Sequence, residues 1–271
     1  MDIDVLGSLT VREGGAPVAL TAPKPRQLLA VLAMHADRTV PVPLLIEELW
    51  GGRPPRSARN TLQTYVLQLR ELIGRALRGA GDPYDPKRVL ATEPGGYRLD
   101  TRGGVIDAQE FERRATAGYR AMSQEDFATA SRRLCDALAL WQGPAFAGIR
   151  AGTLLDMEVR RLEEARLCAL DQRIEADLRL GRHRELIGEL TVLTSRYRMH
   201  ESLHRQLMIA LHHSGRRGEA LAVYQRLRMT LVRDLGLEPS PALRRLQQSM
   251  LAAGPEREAA EPAWGRLAHA G

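Results

Sequence analysis

The sequence predicts a mainly α-helical protein with a small β component, divided between a mixed segment over residues 1–100 and an all-α segment over residues 105–250. Residues 2–20 alternate apolar and polar side chains across a Glu13-Gly14-Gly15 turn, as paired strands do. From residue 105 onward apolar residues recur at helical spacing with few breakers. After Gly181, short motifs recur 34 positions on, which is the period of a stacked helix pair.

Taken in order, DIDVLGSLTVR over residues 2–12 and Pro17-Val18-Ala19-Leu20 form a small antiparallel sheet. Past the Pro23 to Pro25 punctuation, Arg26 to His35 has the period and Ala/Leu content of a buried helix, ended by Asp37-Arg38. Thr39-Val40-Pro41 is a short extended piece. Leu44 to Trp50 is a second helix, stopped by Gly51-Gly52. A third helix follows Pro54-Pro55, with Ser57 placed to cap its first turn. After a loop over residues 79–83, Arg88 to Thr92 and Tyr97 to Leu99 flank Glu93-Pro94-Gly95-Gly96 as a β-hairpin. Sheet, three helices and terminal hairpin make a winged helix-turn-helix.

The third helix carries the chemistry. Leu62, Val66, Leu69 and Ile73, flanked by Tyr65 and Leu72, set one side against a core. Rotation by about 100° per residue puts Arg56, Asn60, Gln63, Thr64, Leu67 and Glu71 opposite, with Gln68 at the edge. Amides match an adenine edge, Arg a guanine edge, and an exposed Leu a thymine methyl, so this face can read base pairs. A solvated helix face has the same composition, so the face alone does not decide. The surroundings favour DNA: Arg53, Arg56, Arg59, Arg70, Arg75 and Arg78 stand against Glu71 alone. Candidate DNA contacts are therefore Arg53, Arg56, Arg59, Asn60, Gln63, Thr64, Leu67, Gln68 and Arg75, with Arg98 projecting from the hairpin opposite Tyr97 and Leu99.

The order of elements, the run Arg59-Asn60-Thr61-Leu62-Gln63-Thr64-Tyr65-Val66 and the wing Glu93-Pro94-Gly95-Gly96-Tyr97-Arg98-Leu99 resemble the OmpR-type DNA-binding domain, in the version of the Streptomyces antibiotic regulatory protein family. That resemblance implies a sequence-specific activator of a secondary-metabolite gene cluster. It further implies promoters with short direct repeats and contact with RNA polymerase holoenzyme through its primary sigma factor. Double-stranded promoter DNA, bound by a homodimer in tandem, is the expected partner.

In the all-α segment Asp107 is placed to cap a helix through Phe111 and Tyr119, and Gln124 to Leu140 make another, broken by Trp141-Gln142-Gly143-Pro144. A long helix follows from about Thr153 to Leu180, ended by Gly181. Gly181-Arg182 recurs as Gly215-Arg216, Glu185 as Glu219 and Leu193 as Leu227, so tetratricopeptide-like helix pairs are expected. The same residues, with Asp234-Leu235-Gly236-Leu237-Glu238-Pro239, resemble the bacterial transcriptional activator domain of that regulator family. Residues 251–271, rich in Ala, Glu, Pro and Gly, are expected to form a disordered tail.

Composition narrows the alternatives. The chain carries a net charge of +6, which suits an anionic partner. No apolar run approaches the ~20 residues that cross a bilayer, and no charged-then-apolar leader opens the chain, so no membrane partner and a cytoplasmic, nucleoid-associated location are expected. Cys135 and Cys168 fall on apparent apolar stripes and are expected to be buried thiols. A phosphate-binding G-x-x-x-x-G-K-[ST] loop is absent from the sequence, and with the winged helix starting at residue 2 no N-terminal receiver domain is expected. No cofactor and no catalytic residue is expected. His200-Glu201-Ser202-Leu203-His204 does fit the H-E-x-x-H pattern of zinc hydrolases, with His212 two turns on, but no Cys or carboxylate completes a ligand set. Metal-dependent hydrolysis at His200 and His204, or a helical-repeat scaffold that docks peptides, stand as the alternatives.

Overall fold

The computed structural model describes residues 1–252; the expected tail of residues 251–271 lies outside the described residues except for Leu251 and Ala252, which are helical. The described chain forms two compact units, one of residues 1–118 with 133–169, the other of residues 119–132 with those from 170 onward.

The first unit begins with β1 (Asp2–Asp4), β2 (Thr10–Glu13) and β3 (Ala16–Pro17), an antiparallel sheet in sequence order. Ile3 stands opposite Val11, and both are buried. α1 (Pro23–Met34), β4 (Thr39–Pro41), α2 (Val42–Trp50) and α3 (Ala58–Gly79) follow. A helical turn, α4 (Pro86–Val89), leads into β5 (Leu90–Glu93) and β6 (Gly96–Leu99). The second sheet has the order β4-β6-β5, so the extended piece at Thr39 to Pro41 pairs with the wing, Val40 opposite Tyr97. Gly96 is required there: a Cβ would run into the Val40 carbonyl.

Helix starts differ from expectation in physically simple ways. α1 starts at Pro23, not Arg26, because prolines in the first turn lack only N–H groups that have no helical partner anyway. The same holds for α2, which starts at Val42 with a proline in its first turn rather than at Leu44. Arg88 and Val89, expected in a strand, complete α4, whose N-cap Asp85 accepts from the Lys87 amide at 2.9 Å. Ser57 stands at the N-cap of α3, but its hydroxyl makes no cap bond; its carbonyl accepts from the Thr61 amide at 3.0 Å.

The remainder of the first unit is built onto the N-terminal strand. α5 (Asp107–Ser123) starts at Asp107, whose carboxylate accepts from the amides of Val5 (2.8 Å) and Leu6 (2.9 Å). Burial pushes this carboxyl up from its usual range, and those backbone bonds oppose the shift. Beyond β1 the chain is stitched to the Trp141 breaker: Gln142 N donates to Leu6 O, Phe146 N to Val5 O and Ala147 N to Gly7 O, each at 2.8 Å. Trp141 is buried edge-on to Phe111, their centroids 5.5 Å apart.

The remaining elements are all helices, the first two of them with residues in both units. α6 (Phe127–Leu138) is shorter than expected because Glu125 takes a left-handed φ of 59° and Asp126 then caps the helix through the Thr129 amide at 3.0 Å. α7 (Thr153–Arg179) has the predicted span. α8 (His183–Arg196), α9 (Glu201–His213), α10 (Arg217–Leu235) and α11 (Pro241–Ala252) pack as successive neighbours. The 34-residue repeat is visible as one turn made twice. Gly181 and Gly215 adopt φ of 79° and 78°. Arg182 N donates to Asp177 O (3.0 Å), and Arg216 N donates to Leu211 O (2.9 Å). Asp177, buried, accepts from Ser131 at 2.7 Å and Arg182 at 2.8 Å and pairs with buried Arg173. Cys135 and Cys168 are both exposed, contrary to expectation, because each falls just outside the buried stripe marked by Leu134, Ala137 and Ala169.

Candidate nucleic-acid interface

α3 is seated by its apolar seam. Leu62, Val66, Leu69 and Ile73 are at most 1% exposed, in contact with α1 and α2. At about 25 cal/mol per Å² their burial is the main term fixing the helix. Trp50 at the end of α2 stacks on Tyr65, 6.1 Å between centroids and 22° between planes, and sets the rotation of α3 from its flank.

That rotation leaves Arg59, Asn60, Gln63, Thr64, Leu67, Gln68 and Glu71 exposed, with Arg53 and Arg56 exposed in the preceding loop. Leu67 is 60% exposed and places an apolar side chain within this polar face. Asn60, Gln63, Thr64, Leu67 and Gln68 follow the three-and-four spacing of one helix face, so the structure brings these five together as a row. The Thr64 hydroxyl donates to its own helix at Asn60 O (3.1 Å), leaving its lone pairs outward. Arg53, Arg56 and Arg59 have no carboxylate partner among the described residues. Arg75 lies at the far end of the row and is paired with Glu71 at 2.5 Å, both side chains well exposed.

The wing is tied to this helix by Arg70, whose Nε donates to Leu90 O (2.9 Å) and whose guanidinium also donates to Thr92 Oγ1 (2.8 Å). Sequence reasoning counted Arg70 as local charge and missed this tether; no local pattern announces it. Arg98 does project from the face opposite buried Tyr97 and Leu99, but it is half-buried and held between two carboxylates, Glu93 at 3.3 Å and Asp100 at 3.5 Å. The hydrogen bond from Arg98 to Glu93 raises the guanidinium pKa further, so Arg98 stays charged but locally neutralised.

A second network holds α2. Gln27 Nε2 donates to Glu48 O (2.8 Å), Lys24 donates to Leu49 O, and the buried Glu48 carboxylate accepts from the amides of Gly152 (2.7 Å) and Leu154 (2.8 Å) at the start of α7. The helix ahead of α3 is thus fixed by a buried carboxyl group that no motif signalled.

The alternative zinc pair loses its geometry. His200 precedes α9 as its N-cap, with Nδ1 accepting from the Leu203 amide at 3.4 Å, and buried His204 turns its Nδ1 onto His200 O at 3.1 Å. Among the described residues no group of three or more His, Cys, Asp or Glu is arranged to hold a metal ion, and no helix is long and apolar enough to cross a membrane.

Residues 15–99 match the family model "Transcriptional regulatory protein, C terminal", and residues 106–251 match "Bacterial transcriptional activator domain". The chain is 49% identical over 255 residues to the regulatory protein DnrI of Streptomyces peucetius, covering 94% of this chain and 93% of that one. This chain is a transcriptional regulator of the Streptomyces antibiotic regulatory protein family. The regulator is also 38% identical over 251 residues to the transcriptional regulatory protein EmbR of Mycobacterium tuberculosis, covering 93% of this chain but 63% of that one. The regulatory protein AfsR of Streptomyces coelicolor matches 93% of this regulator with 24% of its own length, at 38% identity. A solved structure, Mycobacterium tuberculosis EmbR in complex with a low-affinity phosphopeptide, superposes with a TM-score of 0.84 at 37% identity, over 94% of this chain and 65% of that one. The matched families are regulators, not enzymes.

Proposed function

We propose that the regulator binds promoter DNA through residues 1–100, with α3 in the major groove, and activates transcription through residues 105–250. The observation that carries this reading is the exposed row Asn60, Gln63, Thr64, Leu67 and Gln68, set opposite a fully buried seam. Those side chains offer the donors, acceptors and methyl contact that base edges require. Arg53, Arg56, Arg59 and Arg75 flank the row and serve the phosphates, and Arg98 reaches the backbone from the wing.

One reading helix covers only a few base pairs, too few for selectivity in a genome, so two copies bind side by side. The 1–100 segment offers no long apolar seam for a two-fold pair, which favours a tandem homodimer on direct repeats about one helical turn apart. Likeness to DnrI supports control of an antibiotic or other secondary-metabolite gene cluster. The regulator acts in the cytoplasm at the nucleoid and recruits RNA polymerase holoenzyme through its primary sigma factor.

Mobility-shift titration on a promoter with direct repeats tests this. Inserting about 5 base pairs between repeats should abolish cooperative binding, and about 10 should partly restore it. Inverted repeats binding as well as direct ones would defeat the tandem arrangement.

A further inference from the structure

Within the second unit, α8, α9 and α10 enclose a trough of about 660 Å³. Its floor is apolar, with Leu207 and Leu211 from α9 and Val223 and Leu227 from α10. Its rim is basic. Arg198, Arg216, Arg226 and Arg233 line it against Glu219 alone. Arg216 is spent on Glu219 at 2.7 Å, and Arg233 on Asp234 at 2.6 Å. Arg198 and Arg226 are exposed and make no close ion pair among the described residues, although Arg198 acts at longer range on Asp234 and Arg226 on Glu219, carboxylates already held by Arg233 and Arg216. Met229 also lines the trough while 62% exposed. A flexible thioether left in water beside an apolar floor suits a surface that adapts to a partner.

From these features we propose that the trough between α8 and α10 binds an acidic peptide segment of a partner protein, apolar residues on the floor and carboxylates on Arg198 and Arg226. The lining residues of α10 run from Glu219 to Arg233, 14 positions. At 1.5 Å per residue that is about 21 Å of trough, enough for about six extended residues or a four-turn helix. Charge complementarity selects the occupant. A free cation or a basic peptide meets a rim with more guanidinium groups than carboxylates, and a purely apolar segment leaves that excess without added counter-charges. Repeat helices stacked in this way commonly present such concave surfaces to extended partners. The site is separate from α3 and does not rest on how DNA is read.

The test uses the full chain and a fluorescein-labelled 14-residue peptide alternating Leu pairs with Glu and Asp, followed by anisotropy, with a Lys-for-Glu/Asp version as control. Saturable binding of the acidic peptide, none of the basic one, and a loss of about tenfold or more in R198Q/R226Q support the proposal. Met229→Ser should weaken binding severalfold while all variants keep operator binding within about twofold, which separates the trough from folding. Absence of saturable binding up to about 1 mM, equal binding of both peptides, or displacement of the peptide by random duplex DNA would overturn it. Self-association of the chain that R198Q/R226Q abolishes would assign the trough to a second copy instead, and would also overturn it.

Discussion

Glu48 caps the long helix at Gly152: its Oε1 accepts from the Gly152 amide at 2.7 Å while Oε2 accepts from the Leu154 amide at 2.8 Å. The carboxylate is buried, so neither amide has water as a substitute partner. Negative charge at a helix N-terminus is also favoured by the helix dipole.

Glu48→Ala should therefore lower the unfolding free energy by about 2–4 kcal/mol, since buried amides are left unpaired and a cavity opens. Gly152→Ala should be comparably harmful, because a Cβ there would run into the Glu48 carbonyl. Urea titration measures both. Losses within about 0.5 kcal/mol of wild type, the range of ordinary surface changes, would show that the cap contributes little.

Arg70 joins α3 to β5 through Leu90 O and Thr92 Oγ1, and its replacement tests whether helix and wing bind DNA as one piece. Arg70→Leu should cost about 1–3 kcal/mol of stability for the unpaired carbonyl and lower affinity for every DNA sequence. A variant destabilised by that amount but with wild-type DNA affinity would mean that the wing does not need the tether.

Arg98 is neutralised by Glu93 and Asp100, so the charge on the wing depends on its carboxylates. Glu93→Gln should tighten binding to all sequences and steepen the salt dependence, whereas Arg98→Ala should flatten it by about 0.9 in log–log slope. If neither changes the slope, Arg98 makes no phosphate contact.

His204 is buried, and burial holds its pKa below the ordinary 6.5, with the hydrogen bond to His200 O opposing. A histidine depressed in the folded state binds its proton more readily when unfolded. Stability from this group is thus complete above 6.5 and falls as pH drops from there toward the folded value. Thermal unfolding should show a lower Tm at about pH 5.5 than at about pH 7.5, and His204→Gln should shrink that difference. A His204→Gln variant with the full wild-type pH dependence would assign the effect elsewhere.

The elements of the fold were legible where periodicity was strong: the α3 seam, the α7 span and the Gly181 and Gly215 turns all lie in local patterns. What escaped was long-range. The pairing of residues 5–7 with 142–147 joins segments whose own sequences read as a strand end and a helix breaker. Glu48 looks like any surface glutamate of an amphipathic helix until the start of α7 is placed on it. Helix starts shifted at Pro23 and Val42 because proline breaks a helix interior but not its first turn. For the interface, the row from Asn60 to Gln68 followed from rotation about the helix axis, while the pairing of Arg98 depended on a hairpin register that brings Glu93 and Asp100 to it. The burial expected for Cys135 and Cys168 failed because a stripe misjudged by one position puts a side chain outside.

The proposal that α3 reads base edges is tested most directly by the affinity of Gln63→Ala, with Asn60→Ala beside it, for the cognate direct repeat and for random duplex at one fixed salt concentration. Loss of about 1–3 kcal/mol on the cognate site with little change on random DNA is expected. Equal losses on both would mean that these amides face the phosphates, or no DNA at all, and would contradict the assignment of this face as the reader of sequence.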